Sequence, residues 1–100
     1  MINVIYQGKV DIVDGTRIVC TTDKLSITSI VINNLDSNYT FTLNRFETGP
    51  GIHSVPMYRF ELDAGDSIRD NEQYILSKGD YLELLSDAID TTFYISATQE

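Results

Sequence analysis

The sequence contains few of the residues from which crosslinks and catalytic or metal sites are usually built. Its 100 residues include one cysteine, one histidine, two prolines and no tryptophan. The lone thiol of Cys20 excludes an internal disulfide, and with His53 as the single histidine it also excludes a zinc site with two or four cysteine ligands. The fold must therefore depend on a hydrophobic core, in which Cys20 is expected to be a small buried side chain.

Positive charge and long apolar runs are also scarce. Seven Lys and Arg residues against fifteen Asp and Glu give a net charge of −8, which repels nucleic acids and anionic membranes. No run of 18 apolar residues occurs, and the first residues lack the basic start of a secretory signal. We therefore expect no nucleic-acid partner and no membrane association, and a protein made in a reducing cytoplasm and kept there or released by lysis.

The residues that are abundant favour strands. Twelve Ile, six Val and ten Thr residues are β-branched, and ten more residues are Tyr or Phe. Short apolar segments alternate with turn signals at intervals of roughly ten residues, which is typical of an all-β sandwich or barrel. The sequence predicts one domain over residues 1–100, a single antiparallel β-sandwich, jelly-roll-like, with about 7–9 short strands.

The central segments show the clearest alternation. In residues 39–46, Tyr39, Phe41 and Leu43 point to one face, and the other face has Thr and Asn at positions 40, 42 and 44. In residues 25–33 the alternation changes phase, which predicts either a bulge near Thr28-Ser29 or burial of both faces. The polar link 34–38 between these two segments predicts a hairpin.

The other predicted elements are marked by glycine-containing turns. Residues 57–62 alternate with Phe60 inward, so Phe60→Ala should cost roughly 3–5 kcal/mol if that ring packs between the sheets. A turn at 63–66 ends this strand, and a second hairpin is predicted around 77–80, with Gly79 at positive φ. Shorter strands are predicted over 2–6, 9–13, 16–20 and 91–97, with turns at 14–15 and 86–90 and an exposed loop over 48–56.

The residues whose side chains suit catalysis or metal binding are expected to have structural roles. His53 and Ser54 are adjacent, and adjacent residues of an extended segment point to opposite faces, so a nucleophile with its base is not expected. The acidic group Asp63, Asp66, Asp70 and Glu72 could bind calcium, but carboxylates in turns commonly cap backbone amides. We expect no enzyme activity, no metal and no cofactor.

Exposed aromatic and apolar residues are the remaining candidates for binding. Four of the six tyrosines have the inward parity of core residues, namely Tyr39, Tyr58, Tyr74 and Tyr81. Tyr6 and Tyr94 are therefore the tyrosines that are freer to contact a partner. The apolar segment 2–6 can pair within its own sheet or be added to the sheet of a neighbouring copy. The candidate interface residues are Ile2, Val4 and Tyr6.

Several segments resemble the small β-sandwich virion proteins of tailed bacteriophages. Residues 29–34 followed by 39–43 look like two of their strands across a polar link. Residues 58–68 look like an aliphatic strand before an "AGD" turn, residues 74–82 look like a hairpin with a "GD" pair, and residues 94–97 look like the closing strand. The match spans about three quarters of the chain and leaves the region around residues 6–20 without a shared motif.

The resemblance implies a non-enzymatic structural component of a virion, assembled in the host cytoplasm. Within that class it implies a head decoration or auxiliary (cement) protein, or alternatively a neck, tail or fibre-attachment component. The implied partners are the major capsid protein or other virion proteins and further copies of the chain, in a trimer or ring. A carbohydrate-binding module is a separate alternative, in which tyrosines and acidic residues of the loops would contact a glycan.

Overall fold

The computed structural model describes residues 1–49 and 51–100, and over these residues the chain is all-β without helices. Nine strands follow one another along the chain. They are β1 (Ile2–Lys9), β2 (Thr16–Val19), β3 (Lys24–Asn33), β4 (Tyr39–Thr48), β5 (Ile52–Leu62), β6 (Ser67–Asp70), β7 (Tyr74–Ser77), β8 (Tyr81–Ser86) and β9 (Thr92–Gln99). The all-β class and the number of strands predicted from the sequence are therefore confirmed.

The strands form two antiparallel sheets that pack face to face. Sheet A has the order β1-β9-β3-β6, with β7 beside β6 along the same edge of β3, and sheet B has the order β2-β8-β4-β5. The pairs β1·β9, β2·β8, β3·β6/β7 and β4·β5 are nested, as in one long hairpin that has been rolled up until β3 also meets β9 and β4 meets β8. This nesting is the jelly-roll arrangement, and it confirms the predicted sandwich.

The core lies between the two sheets and is built from alternate residues of the inner strands. In β8 the buried residues are Leu82 and Leu84, in β4 they include Phe41 and Leu43, and β3 contributes Ile30 among others. Alternation places these side chains on one face of each strand, so each sheet presents an apolar inner surface to the other. Cys20 is buried in the same core, as expected, and its thiol donates to the carbonyl of Thr22 at 3.2 Å.

The phase change in β3 is a bulge. The register of β3 against β9 shifts between Ile27 and Ser29, so Thr28 is the extra residue. An extra residue reverses the facing of everything that follows it, which is why Leu25 and Ile27 are buried before the bulge and Ile30 after it. The bulge predicted near Thr28-Ser29 is confirmed.

Both predicted hairpins are wrong, although their turns exist. Residues 34–38 join β3 of sheet A to β4 of sheet B, and residues 78–80 join β7 of sheet A to β8 of sheet B. These links cross between the sheets because β3 pairs with β9 and β8 pairs with β2 and β4. Gly79 has a φ of +93°, as predicted, and the turn at 63–66 has Gly65 at +86°.

Other boundaries also differ from the prediction. Strand β1 runs on to Lys9, and the strand predicted over 9–13 is replaced by a turn, because the Asp11 carboxylate accepts from the amides of Val13 and Asp14. The loop predicted over 48–56 is shorter, since β5 begins at Ile52; Pro50 lies outside the described residues. The short strand β6 was not predicted as a separate element.

Tyr81 and Phe60 do not lie where their alternation indicated. Tyr81 is on the outer face of sheet B, because its neighbours Leu82 and Leu84 fill the core, and it stacks on Phe46 with ring centroids 4.7 Å apart. Phe60 has the predicted inward direction, opposite the buried Phe41, but 47% of its surface is exposed. It lies in β5 at the edge of sheet B, where the sandwich is open.

Candidate functional site

The acidic residues are concentrated outside the strands. Of the fifteen acidic residues in the sequence, four lie in strands, namely Glu47, Glu61, Asp70 and Glu83. Only Asp70 belongs to sheet A, where it ends the edge strand β6. Strands β1, β9 and β3 contain no acidic residue, and their lysines, Lys9 and Lys24, stand at strand ends.

The outer face of sheet A therefore has no acidic residue over three adjacent strands, and its only charges there are the two lysines at strand ends. Across it, the register places Gln7 beside Tyr94 and Tyr94 beside Val31, and in the next row Ile5 beside Ser96. Ile5 is 55% exposed and Tyr94 is 42% exposed. The outward side chains of β1, β9 and β3 that lie between the terminal lysines are called the uncharged face; they include Asn3, Ile5, Gln7, Ser29, Val31, Tyr94, Ser96 and Thr98.

The outer face of sheet B differs in charge. Arg17 lies opposite Glu83 in the β2–β8 pair, and the outward residues of β5 include Arg59 and Glu61. The Arg17 guanidinium also lies over the Tyr81 ring, 4.9 Å from its centroid. Ionic side chains retain their hydration more strongly than hydroxyl and aliphatic ones, so the uncharged face costs less to desolvate against a partner.

The predicted interface residues lie on the edge strand of this sheet. Over its whole length β1 pairs antiparallel with β9 of the same chain, from Ile2 opposite Gln99 to Lys9 opposite Thr92. Ile2 is exposed, whereas Val4 and Tyr6 point inward, are half-buried and pack against the core. Burial raises the pKa of the Tyr6 phenol.

Ile5 and Tyr94 extend this surface. Of the two tyrosines predicted to be freer, Tyr94 is exposed, whereas Tyr6 packs against the core, so the prediction was wrong for Tyr6. Ile5 lies between Val4 and Tyr6, so the parity that directs those two inward directs Ile5 outward. That alternation was available as a signal in the sequence. The run of apolar residues at positions 4–6 hid it, because both parities are apolar there.

A second feature is a groove where the sandwich opens between β5 and the edge formed by β6 and β7. It encloses roughly 450 Å³, and its lining includes Phe60, Tyr58, Tyr74, Asp70 and Glu72. The rings of Tyr58 and Phe60 are 5.1 Å apart between centroids. Aromatic rings together with a few polar groups are typical of small-molecule and sugar sites.

The polar groups of the groove are coupled through Asp70. The Tyr74 hydroxyl donates to its carboxylate, and the Glu72 amide donates to the same carboxylate at 2.9 Å. The pKa of Tyr74 is raised, first by burial and then by this hydrogen bond. The Tyr58 hydroxyl is buried without a hydrogen-bond partner among the described residues, and burial, with the nearby Asp70 charge, raises its pKa.

The other sequence candidates are not brought together into a site. His53 pairs with Glu47 and Ser54 with Phe46, so the histidine and serine side chains leave β5 on opposite faces. Asp63 and Asp66 lie in the β5–β6 turn, where the Asp66 amide donates to the Asp63 carbonyl. Among the described residues, no group of three or more His, Cys, Asp or Glu side chains is arranged to hold a metal ion.

Comparisons with known proteins add no relationship. No family model, curated protein or solved structure matches this chain. Within the described residues, no helix is long and apolar enough to span a membrane. The uncharged face and the groove are therefore the features on which a function can be based.

Proposed function

We propose that the chain is a non-enzymatic structural component of a bacteriophage virion, a head decoration or auxiliary protein that acts in many copies through protein–protein contacts. The observation that supports this proposal is the uncharged face. A molecule with a net charge of −8 has no acidic residue in β1, β9 and β3, and so leaves the outer surface of these three adjacent strands without negative charge.

This distribution of charge suits attachment to a protein lattice. The uncharged face offers Ile5, Val31 and Tyr94 as apolar contacts among hydroxyl and amide side chains that can hydrogen-bond a partner. The acidic turns oppose non-specific contact with packaged DNA and between free copies. Many weak contacts on one particle then sum to durable attachment.

The partner of this face is the major capsid protein or another virion protein. A neck, tail or fibre-attachment component would use the same surface, because the chemistry of the face does not depend on where the partner lies in the particle. The two assignments differ in copy number, which is high on a head lattice and low at a neck or tail. Location and copy number therefore separate them.

The test is the composition of purified particles of the phage that encodes the chain. Quantitative mass spectrometry should find the chain in many copies per particle, and antibody labelling under the electron microscope should place it on the head. Labelling confined to the neck or tail would favour the alternative. The absence of the chain from purified particles would refute the proposal.

A matched pair of variants tests the face itself. Tyr94→Lys places a charge at the centre of the uncharged face and should remove most copies from the particles. Thr40→Lys places the same charge on the outer face of sheet B, opposite Glu61, and should leave the copy number unchanged. Equal incorporation of both variants would show that the uncharged face is not the attachment surface.

The groove supports a second candidate, a carbohydrate-binding module. Phe60 is half-exposed beside Tyr58, and the carboxylates of Asp70 and Glu72 can accept from sugar hydroxyls. Binding to a glycan array that is lost in Phe60→Ala and retained in Tyr94→Ala would establish this function. A blank array would exclude the glycans tested and leave the virion role as the better candidate.

A further inference from the structure

The four sheet edges are protected to different degrees. Strand β5 has Pro56 and a register shift next to it, and β2, β6 and β7 are four residues each. Strand β1 has eight residues, none of them proline or acidic, and its register against β9 is continuous over Ile2–Lys9. Prolines, bulges, charges and shortness are the devices that block edge-to-edge pairing, and β1 has only Lys9 at its end.

We propose that β1 pairs antiparallel with β1 of a second copy of this chain, about a two-fold axis at Ile5. This pairing joins two five-stranded sheets A into one continuous sheet. The inference rests on the proposed function, because it names one of the partners through which a multi-copy component would associate. The uncharged face then continues across the seam between the two copies.

The side chains of β1 are complementary in this register. On the outer face Ile5 lies opposite Ile5 of the second copy, and Asn3 lies opposite Gln7. On the inner face Val4 lies opposite Tyr6, which covers two half-buried side chains at the open edge. Each of these is a directly opposed cross-strand pair of matching chemistry.

Other registers match less well. If the outer faces of the two copies lie on the same side of the joined sheet, outward residues must stay opposite outward residues. The two β1 strands can then slide past one another only in steps that preserve this facing. Centring the axis on Val4 places Ile5 opposite Asn3, and centring it on Tyr6 places Ile5 opposite Gln7. Both shifts replace the apolar pair of Ile5 with Ile5 by a pair of one apolar and one polar side chain, so the axis at Ile5 is favoured.

Charge also favours this edge for self-association. Each copy carries a net charge of −8, so two copies repel one another on average. Strand β1 carries no negative charge, and its lysine lies at the far end from Ile2. An approach through β1 therefore keeps the acidic turns of the two copies away from the centre of the seam.

The first experiment measures molar mass by light scattering over a dilution series of the purified chain. We expect twice the 11.3 kDa of one chain at high concentration, falling toward one chain on dilution. The combined changes Asn3→Lys and Gln7→Lys place like charges opposite one another twice across the seam and should yield monomers. The matched control, Asn3→Lys with Gln7→Glu, places opposite charges there and should keep the dimer.

The second experiment locates the axis. With Ile5→Cys, the two cysteines stand directly opposite one another with Cα atoms about 4.5–5.5 Å apart, which is within the range of disulfides, and mild oxidation should give a covalent dimer. Tyr94→Cys lies on the same face but one strand away from the seam in each copy, so it should give little crosslink. Cys20 is buried and should not contribute.

The outcomes separate this inference from the proposed function. A wild-type chain that stays monomeric at every concentration, or a dimer unaffected by the paired lysine changes, overturns the β1 pairing. Loss of the dimer in both charged variants, or equal crosslinking at positions 5 and 94, overturns the register. The presence of the chain in purified particles is measured independently. The virion role can therefore stand if β1 does not pair, and the β1 pairing can stand if the chain is absent from the particles.

Discussion

The carboxylate of Asp80 accepts two hydrogen bonds from Thr48, one from its amide at 2.9 Å and one from its hydroxyl at 3.0 Å. The amide of Ser77 donates to the same carboxylate at 3.1 Å. Asp80 is buried, and through these contacts it joins the end of β4 to the turn between β7 and β8. That turn crosses from one sheet to the other, so Asp80 holds the two sheets together at this end of the sandwich.

Asp80 should make the stability of the fold depend on pH in the acid range. Burial alone would raise its pKa, but the hydrogen bonds from Thr48 and Ser77, with the Arg45 charge, outweigh burial and lower it. A lowered pKa in the folded state contributes stability that is present above the ordinary carboxyl pKa of about 3.9 and is lost as the pH falls through the folded value.

The measurement is urea unfolding from pH 7 to pH 2 for the wild type and Asp80→Asn. At pH 7 the variant should be less stable by about 1.5–3 kcal/mol, since it replaces a charged acceptor by a neutral one. The difference between the two proteins should shrink below pH 4. A difference that is constant over the whole range would show that Asp80 does not titrate with unfolding.

A buried polar cluster around Thr91 stabilises the opposite end of the sandwich. The Thr91 hydroxyl donates to the Ala88 carbonyl at 2.8 Å, lies 2.7 Å from the Ser86 hydroxyl and accepts from the Asn34 amide group at 3.2 Å. Thr91→Val removes this hydroxyl without changing the size of the side chain and should cost about 1–3 kcal/mol, because its partners stay buried without it.

Thr92→Val is the matched control for Thr91. Thr92 is the next residue, its side chain is exposed, and its hydroxyl donates to the Asn33 carbonyl at 3.3 Å. We expect less than about 0.5 kcal/mol for this change. Chemical unfolding of both variants measures the two costs, and equal costs would contradict the role given to the Thr91 cluster.

The two aromatic residues Phe41 and Phe60 face one another across β4 and β5 but should differ strongly in their contribution to stability. Phe41 is fully buried, so Phe41→Ala should cost about 3–5 kcal/mol. Phe60 is half-exposed at the edge, so Phe60→Ala should cost only about 1–1.5 kcal/mol. Urea unfolding of both variants is the test, and a similar cost would place Phe60 in a closed core.

This pair shows what could be predicted from the sequence. The facing of Phe60 follows from alternation within one strand, which is a local property and was predicted correctly. Its exposure depends on which strands lie beside β5, and that is set by contacts distant in the sequence. For the same reason the bulge in β3, which shows as a local change of alternation, was predicted correctly. The two predicted hairpins were wrong, because they depend on which strands pair.

For the uncharged face too, local features could be predicted from the sequence, whereas the pairing of distant strands could not. The sequence identified the apolar segment 2–6 and the residues Ile2, Val4 and Tyr6, but only the pairing with β9 shows which of them point inward. The uncharged face is built from β1, β9 and β3, which are far apart in the chain. Their lack of acidic residues can be counted in the sequence, but their adjacency becomes visible only in the fold.

The turn at Gly79 provides the last prediction. Gly79 and Gly65 both have a positive φ, at +93° and +86°, so an alanine at either position strains the backbone by about 1–2 kcal/mol. At Gly65 an added Cβ meets nothing within 4 Å, whereas at Gly79 it would lie 3.1 Å from the Thr48 hydroxyl oxygen. That hydroxyl is held by its hydrogen bond to Asp80 and cannot move away without breaking it.

Gly79→Ala should therefore destabilise the fold more than Gly65→Ala, by at least about 1 kcal/mol, because it adds the loss of a hydrogen bond to the backbone strain. Urea unfolding of both variants at pH 7 gives the two costs. When Asp80→Asn is added to each glycine variant, the difference in unfolding free energy between the two variants should become smaller, since the Thr48 hydroxyl is then held less strongly. Equal costs for the two glycines would mean that Thr48 yields freely and that the contact at Asp80 does not fix the turn.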